Sequence, residues 1–333
     1  MQVKRFSSAS MLPEAWDSLA SSYFQQREFL LHTETHNPCK QRYYLAYEED
    51  ILRAGIVVYS LRLDLFTYAF LKIPLQMNIA GIPCSVSASG MLGPEALLPQ
   101  LLELLKPHEK GFLVWLNLDS QAHIPGVMSG KTLPTLLFQN RFQSWEDYQN
   151  CLRSDYKRRL HLTLKAFQGL TLRTSDCSGF DDEMYRLYLE VLARSKGKLE
   201  SLSLSFFRAL PPAFQLSAYY DGKILVGWYI TLAQGDRLFF FLGGYEQSLN
   251  HSHHSYLNLL YAILRQGIEG GFSQLDFGQT AEIPKQRLGA QLSPKWLLGY
   301  HSNPLIRKLL CLARPLLEYS AKFESPHPFK ENR

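Results

Sequence analysis

Paired cysteine motifs are missing from this 333-residue chain. Its five cysteines, Cys39, Cys84, Cys151, Cys177 and Cys311, are scattered, odd in number and without Cys-x-x-Cys spacing. That pattern argues against a disulfide framework or structural zinc and for a reducing cytosol. Long apolar runs are missing too. The stretch 224–233 holds about ten residues, whereas a membrane span needs about 20. The opening MQVKRFSSASMLPEAW has two early positive charges but no apolar segment behind them, so it is not read as a signal peptide. Strong charge of either sign is also lacking. A net charge of +5 permits an anionic ligand, nucleic acid or a lipid headgroup surface and demands none of them.

What is present is a well-filled interior, with 46% apolar and 20% charged residues, in a chain long enough for two domains. A repeat supports that division. Residues 41–61, QRYYLAYEEDILRAGIVVYSL, predict strand, acidic turn, strand; residues 215–232, QLSAYYDGKILVGWYITL, predict the same. Ala46-Tyr47 stands before Gly55 as Ala218-Tyr219 stands before Gly227. Asp221-Gly222 is a strong two-residue hairpin signal, because that turn needs positive φ. Each copy continues in parallel fashion. The first has a helix near 94–106 and the strand FLVWLNL (112–118). The second has LFFFLGG (238–244), a helix over 255–269 and the strand QLDFG (274–278). Tyr256, Leu260, Ile263, Leu264 and Ile268 give the 255–269 helix an apolar stripe, and Gly270-Gly271 ends it.

Between the copies, SWEDYQNCLRSDYKRRLHLTLKAF (144–167) reads as one long amphipathic helix. Ser144 is its N-cap and Asp147 takes the capping-box position. Trp145, Tyr148, Leu152, Tyr156, Leu160, Leu164 and Phe167 form the apolar face. Arg153, Lys157, Arg158, His161 and Lys165 line the other, with Asp155 and Arg159 as a local charge pair. Domains are expected at 1–143 and 144–322. The segment 323–333 is read as a disordered tail.

Three stretches carry a resemblance: the basic helix 144–167, the strand end FLGGYEQS (241–248), and LDFGQTAEIPKQRLGA (275–290) with Lys285 and Gly289 in lysine-x-x-x-glycine spacing. In this order they resemble the Fem-type aminoacyltransferases and the BioF-type acetyltransferase-like domain of the GNAT superfamily, over roughly 144–300. The resemblance implies an α+β fold of two GNAT-like domains, each a mostly antiparallel mixed sheet flanked by helices. It implies transfer of an acyl or aminoacyl group to an amine acceptor, in Fem-type members on a peptidoglycan or other cell-envelope precursor. The donor would be acyl-CoA or aminoacyl-tRNA, with no permanently bound cofactor. Two departures stand out. The usual Gln/Arg-x-x-Gly-x-Gly/Ala pyrophosphate loop is replaced by EQSLNHSHHSY (246–256), which has no glycine, and there is no room for the helical arm that several Fem-type enzymes insert.

In the GNAT arrangement two strands splay apart, here 238–244 and 274–278, and the N-terminus of the next helix, near Ser255, favours an anion in the cleft. Lys285 and Arg287 are then candidate phosphate contacts, Gln279 and Thr280 polar contacts, and His254 and Ser255 helix-start contacts; a solvated loop is the alternative. Asp276 is a candidate general base if strand alternation turns it to the cleft, or a hydrogen-bond partner of a neighbouring strand or turn. Glu246 is a second base candidate. His251, His253 and His254 lack metal-ligand spacing. Arg153, Lys157, Arg158 and Lys165 would meet tRNA phosphates or an acceptor, or form a solvated face. NPLIRKLLCLARPLLEY (303–319) packs back on the fold or touches a membrane surface peripherally, which would put the protein in the cytoplasm at the inner face of the membrane. An acyl-CoA-dependent N-acetyltransferase of a small molecule and a non-catalytic GNAT-fold binding protein remain alternatives. No sequence signal sets an oligomeric state.

Overall fold

The computed structural model describes residues 1–65, 73–195, 200–320 and 326–330. Its strands are β1 (Gln2–Phe6), β2 (Arg42–Glu48), β3 (Ile51–Asp64), β4 (Pro74–Ala80), β5 (Met91–Leu92), β6 (Phe112–Leu118), β7 (Met128–Gln139), β8 (Thr171–Ser175), β9 (Phe214–Asp221), β10 (Ile224–Gln234), β11 (Arg237–Tyr245), β12 (Gln274–Asp276) and β13 (Gln291–His301). The α-helices are α1 (Ala15–Leu19), α2 (Arg27–His36), α3 (Leu98–Leu105), α4 (Trp145–Cys151), α5 (Ser154–Lys165), α6 (Asp182–Arg194), α7 (Leu204–Arg208), α8 (Asn250–His253), α9 (Ser255–Glu269), α10 (Glu282–Arg287), α11 (Pro304–Leu312) and α12 (Arg314–Leu317). The strands form a large mixed sheet in the order β1-β2-β3-β4-β6-β13-β7-β12-β11-β10-β9-β8, with β5 beside β3. With its flanking helices this is an α+β fold.

Two compact units share the chain. One comprises Met1–Pro134, Leu199–Leu202 and Pro294–Lys322; the other comprises Thr135–Lys198, Ser203–Ser293 and Phe323–Arg333. The division between these units falls within β7 and β13, two long strands that belong to both. The last strand and the two helices after it return to the first unit.

In the first unit β2 and β3 form the expected hairpin, turning at Glu49 and Asp50, both at positive φ. Leu98, Leu101, Leu102 and Leu105 of α3 fill the core with Ala54, Ile56, Val58 and Trp115. β4 pairs antiparallel with β3 and parallel with β6, and the parallel register runs to the last residue of β4, Ala80 opposite Trp115. In the second unit β9 and β10 turn at Gly222 (φ +58), β11 follows antiparallel, and α9 leads back to β12 parallel to β11. The order hairpin, strand, helix, parallel strand thus occurs twice, as the repeat implied.

The apolar stripe of α9 is buried as its spacing dictates, with Leu260, Ile263, Leu264 and Ile268 packed beside Leu238, Leu275 and Phe277. Gly267 allows this approach, since a Cβ there would lie 2.3 Å from Leu275 Cδ2. Helix 144–167 departs from expectation. Ser144 caps it as expected, accepting from Asp147 N at 3.1 Å, but Leu152 and Arg153 are extended and divide it into α4 and α5. The cause is the C-terminal segment. Arg153 N donates to Pro328 O, Lys330 N donates to Cys151 O, and Leu152 bridges Phe329. The reading of 323–333 as disordered is therefore corrected for 326–330, which hold backbone hydrogen bonds and an aromatic contact with Tyr148; 323–325 and 331–333 lie outside the described residues.

Candidate functional site

The site is built where β11 leaves β12. The two strands pair over three positions only, Arg237, Leu238 and Phe239 opposite Gln274, Leu275 and Asp276. β11 then runs on to Tyr245. Its register against β10 shifts at the same place, with Ile230 opposite Leu242 and Thr231 opposite Phe240, so Phe241 is an extra residue. Such a bulge bends a strand and re-aims its backbone groups. Beyond Asp276 the chain turns away through Gly278 (φ +68) and exchanges hydrogen bonds with Leu136 of β7. The corresponding pair in the first unit, β4 with β6, is matched over four positions, from Met77 opposite Phe112 to Ala80 opposite Trp115. Gly243 and Gly244 near the end of β11 answer to packing: a Cβ on Gly244 would stand 2.7 Å from Trp228 Nε1, which donates to Met184 O at 2.9 Å.

The first turn of α9 presents two buried polar atoms without hydrogen-bond partners, Ser255 Oγ and Asn258 Oδ1. Ser255 is 0% exposed and Asn258 2%. Buried atoms of this kind are rare, because each loses its water contacts without replacement. The Asn258 amide nitrogen is committed, donating to Thr163 O at 2.8 Å and His253 O at 2.7 Å. His254 contributes through its backbone: at φ +48 it ends α8 and opens α9, without a side-chain cap. A side-chain acceptor at this helix start comes instead from Asn250, whose Oδ1 accepts from Tyr256 N at 3.1 Å. His253 lies against Ser252 and Asp221. Among the described residues no group of three or more metal-ligating side chains assembles.

Asp276 is buried and its Oδ1 accepts from Thr135 Oγ1 at 2.8 Å and from Gly278 N at 2.7 Å. This is the strand-and-turn hydrogen bonding that sequence offered as the alternative to a base. Glu246 accepts from Arg186 at 2.8 Å and caps a short turn by accepting from Ser248 N and Oγ. The Arg186 guanidinium, with Ser248, holds its carboxyl down to about 2. A carboxylate so stabilised takes up a proton weakly near neutrality, which disfavours Glu246 as a base.

Lys285 does not sit on a solvated rim. It is 3% exposed, and its Nζ donates to Gln279 O at 2.7 Å. Burial pulls its pKa down to about 7, against the opposing pull of the Asp276 and Glu282 carboxylates. Thr280 (φ +63) and Ala281 (φ +49) add left-handed backbone beside Gly278, and strain of this kind persists where the surroundings enforce it. Thr280 and Arg287 are exposed, and Gln279 is half-buried. Gly289 has a packing reason, since a Cβ there would lie 2.4 Å from the Phe329 ring.

The basic helix face is partly tied down. Arg153 Nε donates to Phe329 O and Lys157 Nζ to Asn150 Oδ1. Asp155 meets Arg158 at 3.8 Å, not Arg159. Lys165 is exposed. Sequence reasoning missed Asn258 and Thr135. A polar residue inside the apolar stripe of α9 was a usable signal for Asn258; Thr135 carried none.

A family model for the acetyltransferase (GNAT) domain matches residues 152–286. Among solved structures, FemX is similar at 12% identity and TM-score 0.50, covering 81% of this chain and 90% of its own. L-PGS from Bacillus licheniformis is similar at 12% identity and TM-score 0.48, covering 84% and 90%. A tandem GNAT protein from the clavulanic acid biosynthesis pathway is similar at 10% identity and TM-score 0.46, covering 91% and 99%. No curated protein sequence matches the chain. The parting strands, the helix between them, the family model over 152–286 and the likeness to FemX agree: this chain has the GNAT superfamily fold.

Proposed function

We propose that the protein is a Fem-like N-acyltransferase built from two GNAT-like domains, with its active site in the second, transferring an acyl or aminoacyl group from an activated donor to an amine. The observation that carries this reading is the parting of β11 from β12 beyond Phe239 and Asp276 at the Phe241 bulge. A donor lying along β11 would meet backbone groups as an added strand does, and backbone N–H groups near the bulge would stabilise the oxyanion of the addition step. Ser255 Oγ and Asn258 Oδ1 would supply the polar contacts they now lack, and exposed Arg287 and Thr280 would meet the donor's phosphates. The amine lone pair forms the C–N bond, the donor's C–S or C–O bond breaks with its electron pair on sulfur or oxygen, and the nitrogen sheds a proton. We assign that proton to Asp276, oriented by Thr135 and Gly278, with buried Lys285 setting the local field. Glu246 is dropped from this role.

The resemblance over 144–300 supports a cell-envelope precursor as the class of acceptor and leaves acyl-CoA or aminoacyl-tRNA as donor. A non-catalytic binding protein is the second reading, favoured by the hydrogen bonds that Asp276 already holds. Melting temperature measured against CoA, acyl-CoAs and aminoacyl-tRNA tests the donor site. A ligand at a hundredfold excess over its Kd adds about 2.7 kcal/mol to native stability, so a clear rise with one donor class is expected. No rise with any of them would contradict the reading.

A further inference from the structure

The two C-terminal helices of the first unit are amphipathic in an unusual sense. On one side Leu310 and Leu317 are buried with Met128 and Leu297, and Ile306 packs against them. On the opposite side Leu305, Leu309, Leu312 and Leu316 are 53–73% exposed. The spacing of Leu305, Leu309 and Leu312 puts them on one stripe of α11, and exposed Leu316 follows on α12. A helix that has already buried one apolar face has no folding reason for a second.

The charges around the stripe restrict what covers it. From 303 to 320 the chain carries Arg307, Lys308 and Arg314 against one acid, Glu318, and Glu318 is paired with Arg314 at 3.2 Å. Lys308 is exposed beside Leu309, and Arg307 lies over the Tyr300 ring. Tyr319 N donates to Lys131 O, which ties the end of this segment to β7, where Lys131 Nζ lies over the Trp296 ring. In a two-fold contact between copies the same patch meets itself, so cation would face cation. Four leucines without a polar group among them, bordered by cations, match the boundary between acyl chains and anionic headgroups.

We infer that Leu305, Leu309, Leu312 and Leu316, bordered by Lys308, dock the protein on an anionic lipid surface. The occupant is the bilayer face itself, with the leucines in the acyl boundary and Lys308 at the headgroups. The inference stands apart from the choice of donor and acceptor. Among the described residues no helix is long and apolar enough to cross a membrane, so this is contact from one side.

The test is co-sedimentation of the full chain with vesicles of phosphatidylcholine alone, or of three parts phosphatidylcholine to one part phosphatidylglycerol. Binding to the anionic vesicles is expected, reversed at about 1 M salt, where the screening length falls to about 3 Å. Leu309→Glu with Leu312→Glu should abolish it. Lys308→Glu should weaken it by about tenfold. Both variants alter exposed side chains, so their melting temperatures should match that of the parent. Lys308→Glu keeps the test open if the double variant fails to fold. Absence of sedimentation with anionic vesicles at low salt would overturn the inference, as would binding indifferent to the leucine substitutions. A solution dimer that the double variant dissociates, without vesicle binding by the parent, would overturn it in favour of a second copy.

Discussion

Lys285 Nζ donates to the Gln279 carbonyl at 2.7 Å, closing the loop that leaves β12 around a buried amine. The loop is therefore held from inside. Burial lowers the Lys285 pKa in the folded protein to about 7, from 10.5. Between those values the unfolded chain holds more protons than the native one, so stability rises with pH from about 7 to 10.5. In Lys285→Met that slope should vanish. Urea unfolding of both proteins at pH 7, 8 and 9 should show the parent gaining on the variant by up to about 1.4 kcal/mol per pH unit. A constant difference would remove the buried amine from the argument.

Glu200 gives the opposite sign in another window. It accepts from Ser85 Oγ at 2.7 Å, while its Oε2 is buried without a partner. Burial raises its carboxyl to about 7 from 4.5. The native state then holds the extra proton, and stability falls as pH rises from about 4.5 to 7. Glu200→Gln keeps an acceptor for Ser85 and should lose that fall, standing above the parent at pH 8. The check is melting temperature from pH 5 to 8 for both proteins.

The fold was legible where local chemistry decided it. Asp221-Gly222 dictated its hairpin, and the apolar spacing of 255–269 with Gly270 fixed both ends of α9. The break after Cys151 was not, because Leu152 fits the helical stripe perfectly well. What interrupts it is Phe329 and its neighbours, whose sequence separation from Arg153 is 176 residues. The site was legible in part. Alternation set Asp276 apart from core-facing Leu275 and Phe277, but its partner Thr135 lies on β7, 141 residues away in sequence. The burial of Lys285 depends on how the loop after β12 folds over it, which a polar-looking segment does not reveal.

Phe329 therefore has a measurable role. Its ring packs near Phe142, Tyr148 and Gly289. Phe329→Ala should lower stability by about 2–3 kcal/mol, short of the value for a fully buried ring, as read by urea midpoint. No change would return the segment to the disordered tail that sequence suggested.

Gly267 sets how closely α9 approaches β12. An alanine there puts its Cβ 2.3 Å from Leu275, and relief by backbone shift should destabilise by about 1–3 kcal/mol. The same shift moves Ser255 and Asn258, so donor binding should weaken together with stability. A variant as stable as the parent would show that the helix has slack.

Catalysis is the central claim, and N-acylated product read by mass spectrometry tests it most directly. The parent, Asp276→Asn and Glu246→Gln would each be incubated with acyl-CoA or aminoacyl-tRNA and a set of amine acceptors. The parent should form product that depends on both donor and amine. Asp276→Asn should lose about 10²–10⁴ in rate at nearly unchanged melting temperature, and Glu246→Gln should retain turnover. A donor that raises the melting temperature but yields no product with any amine would contradict the claim and leave a binding protein on a GNAT fold.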